Sequence, residues 1–256
     1  MHRLEKDLRA GVVALGLALT DAQITSLLAY MELIQKWTKV YNLTAVRDPA
    51  EMLTHHLLDS LAVVAPLLKQ LQLVAGVPQG GKAERSALCP PSAAQTPPLP
   101  TQNALPSRPA EVVAPVRLLD VGSGAGLPGA VIAICCPDVT VHCVDTVAKK
   151  AAFIQQVAVT LKLPNLRGVH ARVENLTETY DVVSSRAFAS LVDFVTWSQK
   201  ALAEQGMWMA MKGKHPADEM AGLPAFAQVF HVEQLTVPGL EAERCIVWMR
   251  RAPVVA

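Results

Sequence analysis

The sequence predicts an α/β protein: a doubly wound, mainly parallel sheet closed by antiparallel C-terminal strands, with a helical region ahead of it. Three observations predict this class. From residue 116 onward, short apolar runs alternate with segments of helical period, the pattern of a parallel sheet covered by helices. A glycine-rich stretch, LLDVGSGAGLPG at 118–129, follows the first of those runs directly and opens a helix. Residues 4–70 carry helical spacing and helix-start signals instead.

Taken in order, Thr20 and Gln23 form a T-x-x-Q capping box. Behind it Ile24, Leu27, Leu28, Met31, Ile34 and Trp37 recur on one helical face. Asp48, Pro49 and Glu51 start another helix, with proline at its first position. That helix is expected to run through MLTHHLLDSLAVVAPLL and to break or kink near Pro66. VRLLDV then reads as a strand and PGAVIAICC as a helix; VTVHCV is a second strand and VAKKAAFIQQVAVTLKL a long helix. LRGVH and YDVVSS are the third and fourth strands, LVDFVTWSQKALA a helix, and GMWMAMK the fifth strand. QVFHVEQLTV and RCIVWMR finish the sheet as an antiparallel pair.

Between the two regions lies a segment of different composition. Residues 76–115 hold nine of the 18 prolines, spaced by Ser, Gln, Ala and Thr, with no period of 3.6 or 2. The expected division is therefore a helical region at 1–75, a flexible Pro-rich insert at 76–115 and an α/β core at 116–256. With 256 residues, 51% hydrophobic, the chain suits one large domain or one domain with an appendage. A net charge of +1 means that any basic, nucleic-acid-binding surface has to be local. No apolar run is long enough to span a membrane. MHRLEKDLRAGVVALGLAL faintly resembles a secretion signal, but Glu5 and Asp7 interrupt its charged part and no small-residue cleavage site follows; a packed helix is expected. The five cysteines (89, 135, 136, 143, 245) lack C-x-x-C spacing and read as free thiols in a reducing cytoplasm.

The glycine loop needs a ligand that lies against bare backbone. A nucleoside triphosphate is excluded, because no Gly-Lys-Ser/Thr follows. Gly124, Gly126 and Gly129 satisfy G-x-G-x-x-G, so an NAD-dependent oxidoreductase stands as an alternative. Two features favour S-adenosylmethionine (SAM) instead. Asp120 sits poorly beside a pyrophosphate but suits a ligand carrying sulfonium and ammonium groups. The spacing from Asp120 to Gly126 is D-x-G-x-G-x-G, the usual first motif of SAM-dependent methyltransferases. Asp145, at the end of the second strand, is placed to accept both ribose hydroxyls of an adenosine; its plainer role is to cap the next helix.

The loop after the fourth strand, SSRAFAS, lacks the N/D-P-P-Y/F tetrapeptide that positions an exocyclic nitrogen, and no Pro-Cys nucleophile is present. An acceptor with its own lone pair, such as guanine N7, needs neither device. RNA contacts are sought among Lys36, Lys39, Arg47, His55, His56, Lys149, Lys150, Arg186, Lys212 and Lys214. Arg186 is either a functional group or half of an ion pair, with Glu174 as the expected partner. At least one of His55 and His56 is expected to be a packing residue.

WTKVYNLTAVRDPAEMLTHHLLDSL, LLDVGSGAGLPG, VDTVAKKAAFIQQV, HARVEN, SSRAFASL and MKGK, in that order, resemble the blocks of the RsmG (GidB) family. These are bacterial SAM-dependent methyltransferases of 16S ribosomal RNA guanine N7. The resemblance implies a Rossmann-like SAM-dependent methyltransferase fold and methylation of the guanine at position 527 of 16S rRNA. It implies a cofactor site at Gly122 and Leu127, at Val173 and Glu174 beside the adenine, and at Arg186, with Asp145 in the ribose-binding position. It names no general base. SAM without a metal, the small ribosomal subunit as partner, no membrane, a monomer and a cytoplasmic location are expected. A non-catalytic SAM- or RNA-binding protein is the remaining alternative. The Pro-rich insert is the main departure, since family members usually cross there in a short connection.

Overall fold

The computed structural model describes residues 2–74, 115–188 and 190–253. The Pro-rich segment, up to residue 114, lies outside the described residues.

Helix α1 (His2–Ala14) leads into α2 (Asp21–Tyr41), where Thr20 and Gln23 form the expected capping box. Asp48 caps α3 (Pro49–Met52) by accepting from the backbone N–H groups of Ala50 and Glu51. The chain then widens into a π-helical segment, Leu53–Leu58, before α4 (Asp59–Leu61) and α5 (Val64–Val74). The expected break near Pro66 falls earlier, at Ala62–Val63. Pro66 sits in the first turn of α5, where its missing N–H costs no helical hydrogen bond. The π-helical segment has no signal in the apolar pattern, because i→i+5 bonding is set by what the helix packs against.

The core comprises β1 (Arg117–Val121), α6 (Gly129–Cys135), β2 (Thr140–Asp145), α7 (Ala148–Thr160), β3 (Leu166–His170) and β4 (Tyr180–Arg186). It continues with α8 (Leu191–Ser198), β5 (Leu202–Lys212), α9 (Ala217–Ala221), β6 (Ala227–Leu235) and β7 (Arg244–Arg251). The seven strands lie in the order β3-β2-β1-β4-β5-β7-β6. Strands β1 to β5 pair in parallel, and β7 runs antiparallel to both β5 and β6. The expected fold class is therefore what the chain adopts. The strand order reverses between β1 and β4, so the crevice at their carboxyl ends is the predicted ligand site.

Strand alternation divides the apolar core. Leu118, Met207, Met209, Ile246 and Trp248 face one side with α6, α7 and the N-terminal helices; Leu119, Trp208, Val247 and Met249 face the other with α8. The N-terminal helices thus share one core with the sheet. Tyr30 of α2 is completely buried, and its hydroxyl donates to the Ala125 carbonyl inside the glycine loop at 2.6 Å. Gln23 reaches the Ile134 and Cys135 carbonyls at the end of α6. The four described cysteines are free, and burial pushes their thiols up, Cys136 to about 11.

Candidate active site

The glycine loop folds over the end of β2. Gly122 and Ser123 donate to the Val144 carbonyl, and Gly124 donates to Asp145 Oδ2 at 3.1 Å. Gly122 and Gly124 hold φ of +65° and +59°, which a side chain rarely tolerates. Gly129 serves another purpose: a Cβ there would come within 2.4 Å of Cys143 Sγ and 3.0 Å of Asp120. Only glycine lets α6 lie this close to the strands.

Asp120 and Asp145 divide the work of holding that loop. Asp120 is fully buried; it accepts from the Gly129 N–H at 3.1 Å and the Ser184 hydroxyl at 3.0 Å. Burial pushes its carboxyl up to about 7, against those two hydrogen bonds, which favour the charged form. The expected electrostatic contact with a ligand ammonium group is not what its hydrogen bonds show: Asp120 tethers α6 to β1 and lines neither of the two cavities described below. Asp145 is 6% exposed, and its Oδ1 accepts from the Val147 N–H at 2.8 Å while Oδ2 takes Gly124. It combines the capping role with a place on a cavity wall.

That first cavity, of about 330 Å³, opens at the carboxyl ends of β1, β2 and β3. Gly122, Asp145, Val173 and Glu174 all line it. Val173 and Glu174 come from a 3₁₀ turn, Val173–Asn175, just past β3. Phe188 and Trp197 complete the wall, 5.5 Å apart edge to face. Leu127 is buried in the apolar core beneath the loop and lines neither this cavity nor the next.

Arg186 lies elsewhere. A second cavity, of about 380 Å³, is lined by His55, Asp59, Arg186, Lys212 and Arg244 among others. Arg186 does form an ion pair, but with Asp59 at 3.0 Å rather than with Glu174. Glu174 is exposed at the first cavity, and the carboxylate that reaches Arg186 comes from the N-terminal helices. Arg244 takes the other oxygen of Asp59 at 2.8 Å. Lys212 is held by Glu219 at 2.7 Å. His55 is exposed, whereas His56 is buried with Nε2 2.8 Å from the Thr44 hydroxyl, the packing histidine expected of the pair. Burial, then the nearby Arg186 charge, lowers the His56 pKa.

Against this geometry, the family described as rRNA small subunit methyltransferase G (GidB) matches residues 23–80 and 108–247. The chain belongs to this family. A ribosomal RNA small subunit methyltransferase G from Albidiferax ferrireducens is 61% identical over 254 residues, 99% of this chain and 100% of the relative. One of the same description from a Polaromonas species is 61% identical over 246 residues, 96% of this chain and 93% of its own. Among solved structures, TrmN from Thermus thermophilus aligns with 54% of this chain and 44% of its own, at 17% identity and a TM-score of 0.45; the assignment does not rest on it. The family match skips residues 81–107, inside the Pro-rich segment. With the family established, the G-x-G-x-x-G coincidence no longer carries an oxidoreductase.

Among the residues that line the two cavities, sequence reading gave no role to Asp59, Arg244, Phe188 or Trp197. Asp59 stood inside the HHLLDS block and Phe188 inside SSRAFAS, so both had a signal, but nothing assigned them a role. Arg244 and Trp197 had none, because only the fold brings them to the cavities. Several of the ten basic candidates are engaged locally: Lys149 lies over the Tyr41 ring at 5.5 Å, and Arg47 donates to the Thr38 carbonyl.

Proposed function

We propose that this protein transfers the methyl group of SAM to N7 of the guanine at position 527 of 16S rRNA, with RNA of the small ribosomal subunit as its substrate. The single observation that carries the reading is the first cavity, where the glycine loop, a buried carboxylate at the end of β2 and an apolar wall meet. Those groups fit an adenosine. Asp145 retains lone pairs beyond the two backbone N–H groups it accepts, and these suit ribose hydroxyls. Val173, Phe188 and Trp197 offer apolar and aromatic surface for a purine. Gly122 lets the ligand approach bare backbone. Glu174 lines the mouth, Leu127 supports the loop from below, and Arg186, the last residue of β4, lines the second cavity.

When bound, SAM supplies a methyl group on a positively charged sulfur. Guanine N7 carries no proton at neutral pH, so its lone pair attacks the methyl carbon in line. Charge moves from sulfur to base and no proton has to leave, which is why no general base is needed. The chain's own contribution is alignment: the loop fixes one reactant and the second cavity receives the other. Among the described residues no helix is long and apolar enough to cross a membrane.

Purified protein incubated with labelled SAM and small subunits from a strain lacking the enzyme is expected to place label on N7 of that guanine. Tight SAM binding without transfer to any ribosomal particle would favour the non-catalytic alternative. The same assay with naked 16S rRNA distinguishes the free from the assembled substrate.

A further inference from the structure

The second cavity holds a charge arrangement that methyl transfer itself does not call for. Asp59 is 3% exposed, and each of its oxygens takes a different guanidinium. Two arginines on one carboxylate leave one positive charge in surplus. Lys212, on the same wall, has its charge met by Glu219. The surplus therefore belongs to the arginine pair.

The donors tell the same story. Arg186 uses Nη1 alone, toward Asp59 and the His55 carbonyl at 3.1 Å. Arg244 uses Nε toward Asp59 and Nη1 toward the Glu243 carbonyl at 2.8 Å. Nη2 of both arginines, and Nε of Arg186, have no hydrogen-bond partner among the described residues. Both side chains line the cavity and are 21% and 24% exposed, neither solvated nor sealed. A guanidinium is a planar fork of donors matched to paired anionic oxygens. Holding two forks on one buried carboxylate removes the rotamer freedom that each would otherwise lose on binding.

We propose that Asp59, Arg186 and Arg244 form an oxyanion-binding site for a phosphodiester of the RNA acceptor, with Asp59 as the positioning residue. The identity of the RNA rests on the methyltransferase reading above; the chemistry of the site does not. The same donors suit the α-carboxylate of the methyl donor, because Arg186 directly follows the β4 residue paired with Val121 of β1. The site gives the N-terminal helices a direct part in substrate binding, through a side chain of α4.

The decisive variant is Arg244→Gln, which leaves Asp59 paired with Arg186 and so orphans no buried charge. Three quantities are measured on the full chain: affinity for a labelled 16S rRNA fragment without SAM, affinity for SAM by calorimetry, and KM and kcat for methyl transfer to small subunits. RNA affinity is expected to fall about tenfold, with KM rising in parallel and SAM affinity unchanged. The salt dependence of RNA binding should also flatten, by about 0.7 in the slope of log K against log salt for a contact to single-stranded RNA. Asp59→Asn keeps both guanidiniums, so it should weaken RNA binding without flattening that slope, and raise KM more than it lowers kcat. A fall in SAM affinity alone, with RNA affinity unchanged, would overturn the assignment to an RNA phosphodiester and give the site to the donor carboxylate. RNA and SAM affinities both within about twofold of wild type in a folded Arg244→Gln protein would overturn the proposal. Loss of RNA affinity in the variant, from a wild type that methylates nothing, would sink the methyltransferase reading and leave the site standing.

Discussion

Around the first cavity, carboxylates hold backbone; around the second, a carboxylate holds side chains. Asp145 accepts from the N–H groups of Gly124 and Val147, and Asp120 accepts from Gly129. Asp59 instead joins Arg186, 127 residues away, to Arg244, 185 residues away. The first arrangement is complete once a few neighbouring strand, loop and helix segments have formed. The second exists only after the N-terminal helices have docked against the far half of the sheet. The site proposed for the methyl donor is thus built from local parts, and the site proposed for the acceptor from distant ones.

The contrast can be broken by substitution, and the largest effect is expected at Asp59. Asp59→Ala leaves two arginines crowded together without their anion and should cost about 2–4 kcal/mol in urea unfolding, the lower end reflecting their partial exposure. A loss below about 1 kcal/mol would mean that solvent, not Asp59, organises the second cavity. Next is Gly129→Ala, whose Cβ meets Cys143 Sγ and Asp120; overpacking there should cost about 1–3 kcal/mol, again read by urea unfolding. Asp145→Ala should weaken SAM binding by at least about 1 kcal/mol, through lost charge-assisted hydrogen bonds and two freed N–H groups. Calorimetry checks this, and RNA affinity should stay at the wild-type value; equal losses of both would dissolve the separation between the cavities.

The smallest signal is a pH dependence. Asp120 has its folded pKa raised from 3.8 to about 7. Its stabilising contribution is therefore full below about 4 and is lost as pH rises through about 7. Asp120→Asn does not titrate, so the stability of wild type relative to the variant should fall across that window, by about 1 kcal/mol or more. A difference that stays flat from pH 4 to 8 would show that the folded protein keeps this carboxylate charged throughout.

The same contrast explains what could be read from the chain alone. The capping box at Thr20 and Gln23, the turn at the glycine loop and the capping role of Asp145 were legible because each is a short contiguous signal whose backbone consequence is local. Reading the β/α alternation placed every strand of the sheet for the same reason. Arg186 was found as a position but paired with the wrong carboxylate, because Glu174 is near in sequence order and Asp59 is near only in the fold. Asp120 was read as facing a ligand; its alternation along β1 instead turns it toward α6, where desolvation governs it. The π-helical stretch 53–58 was invisible, since no residue pattern encodes an i→i+5 turn.

Tyr30 carries a consequence for how this chain could have been assembled. Its hydroxyl ties α2 to the Ala125 carbonyl, and a Cβ on Gly126 would lie 3.3 Å from the same oxygen. The helices are consequently not an interchangeable recognition arm, to be swapped for another that reads a different RNA. Any replacement would have to present a hydroxyl at that depth, or leave a buried carbonyl of the glycine loop without its donor. The helices proposed to meet the acceptor and the loop proposed to hold the donor are therefore tied to one another through Tyr30.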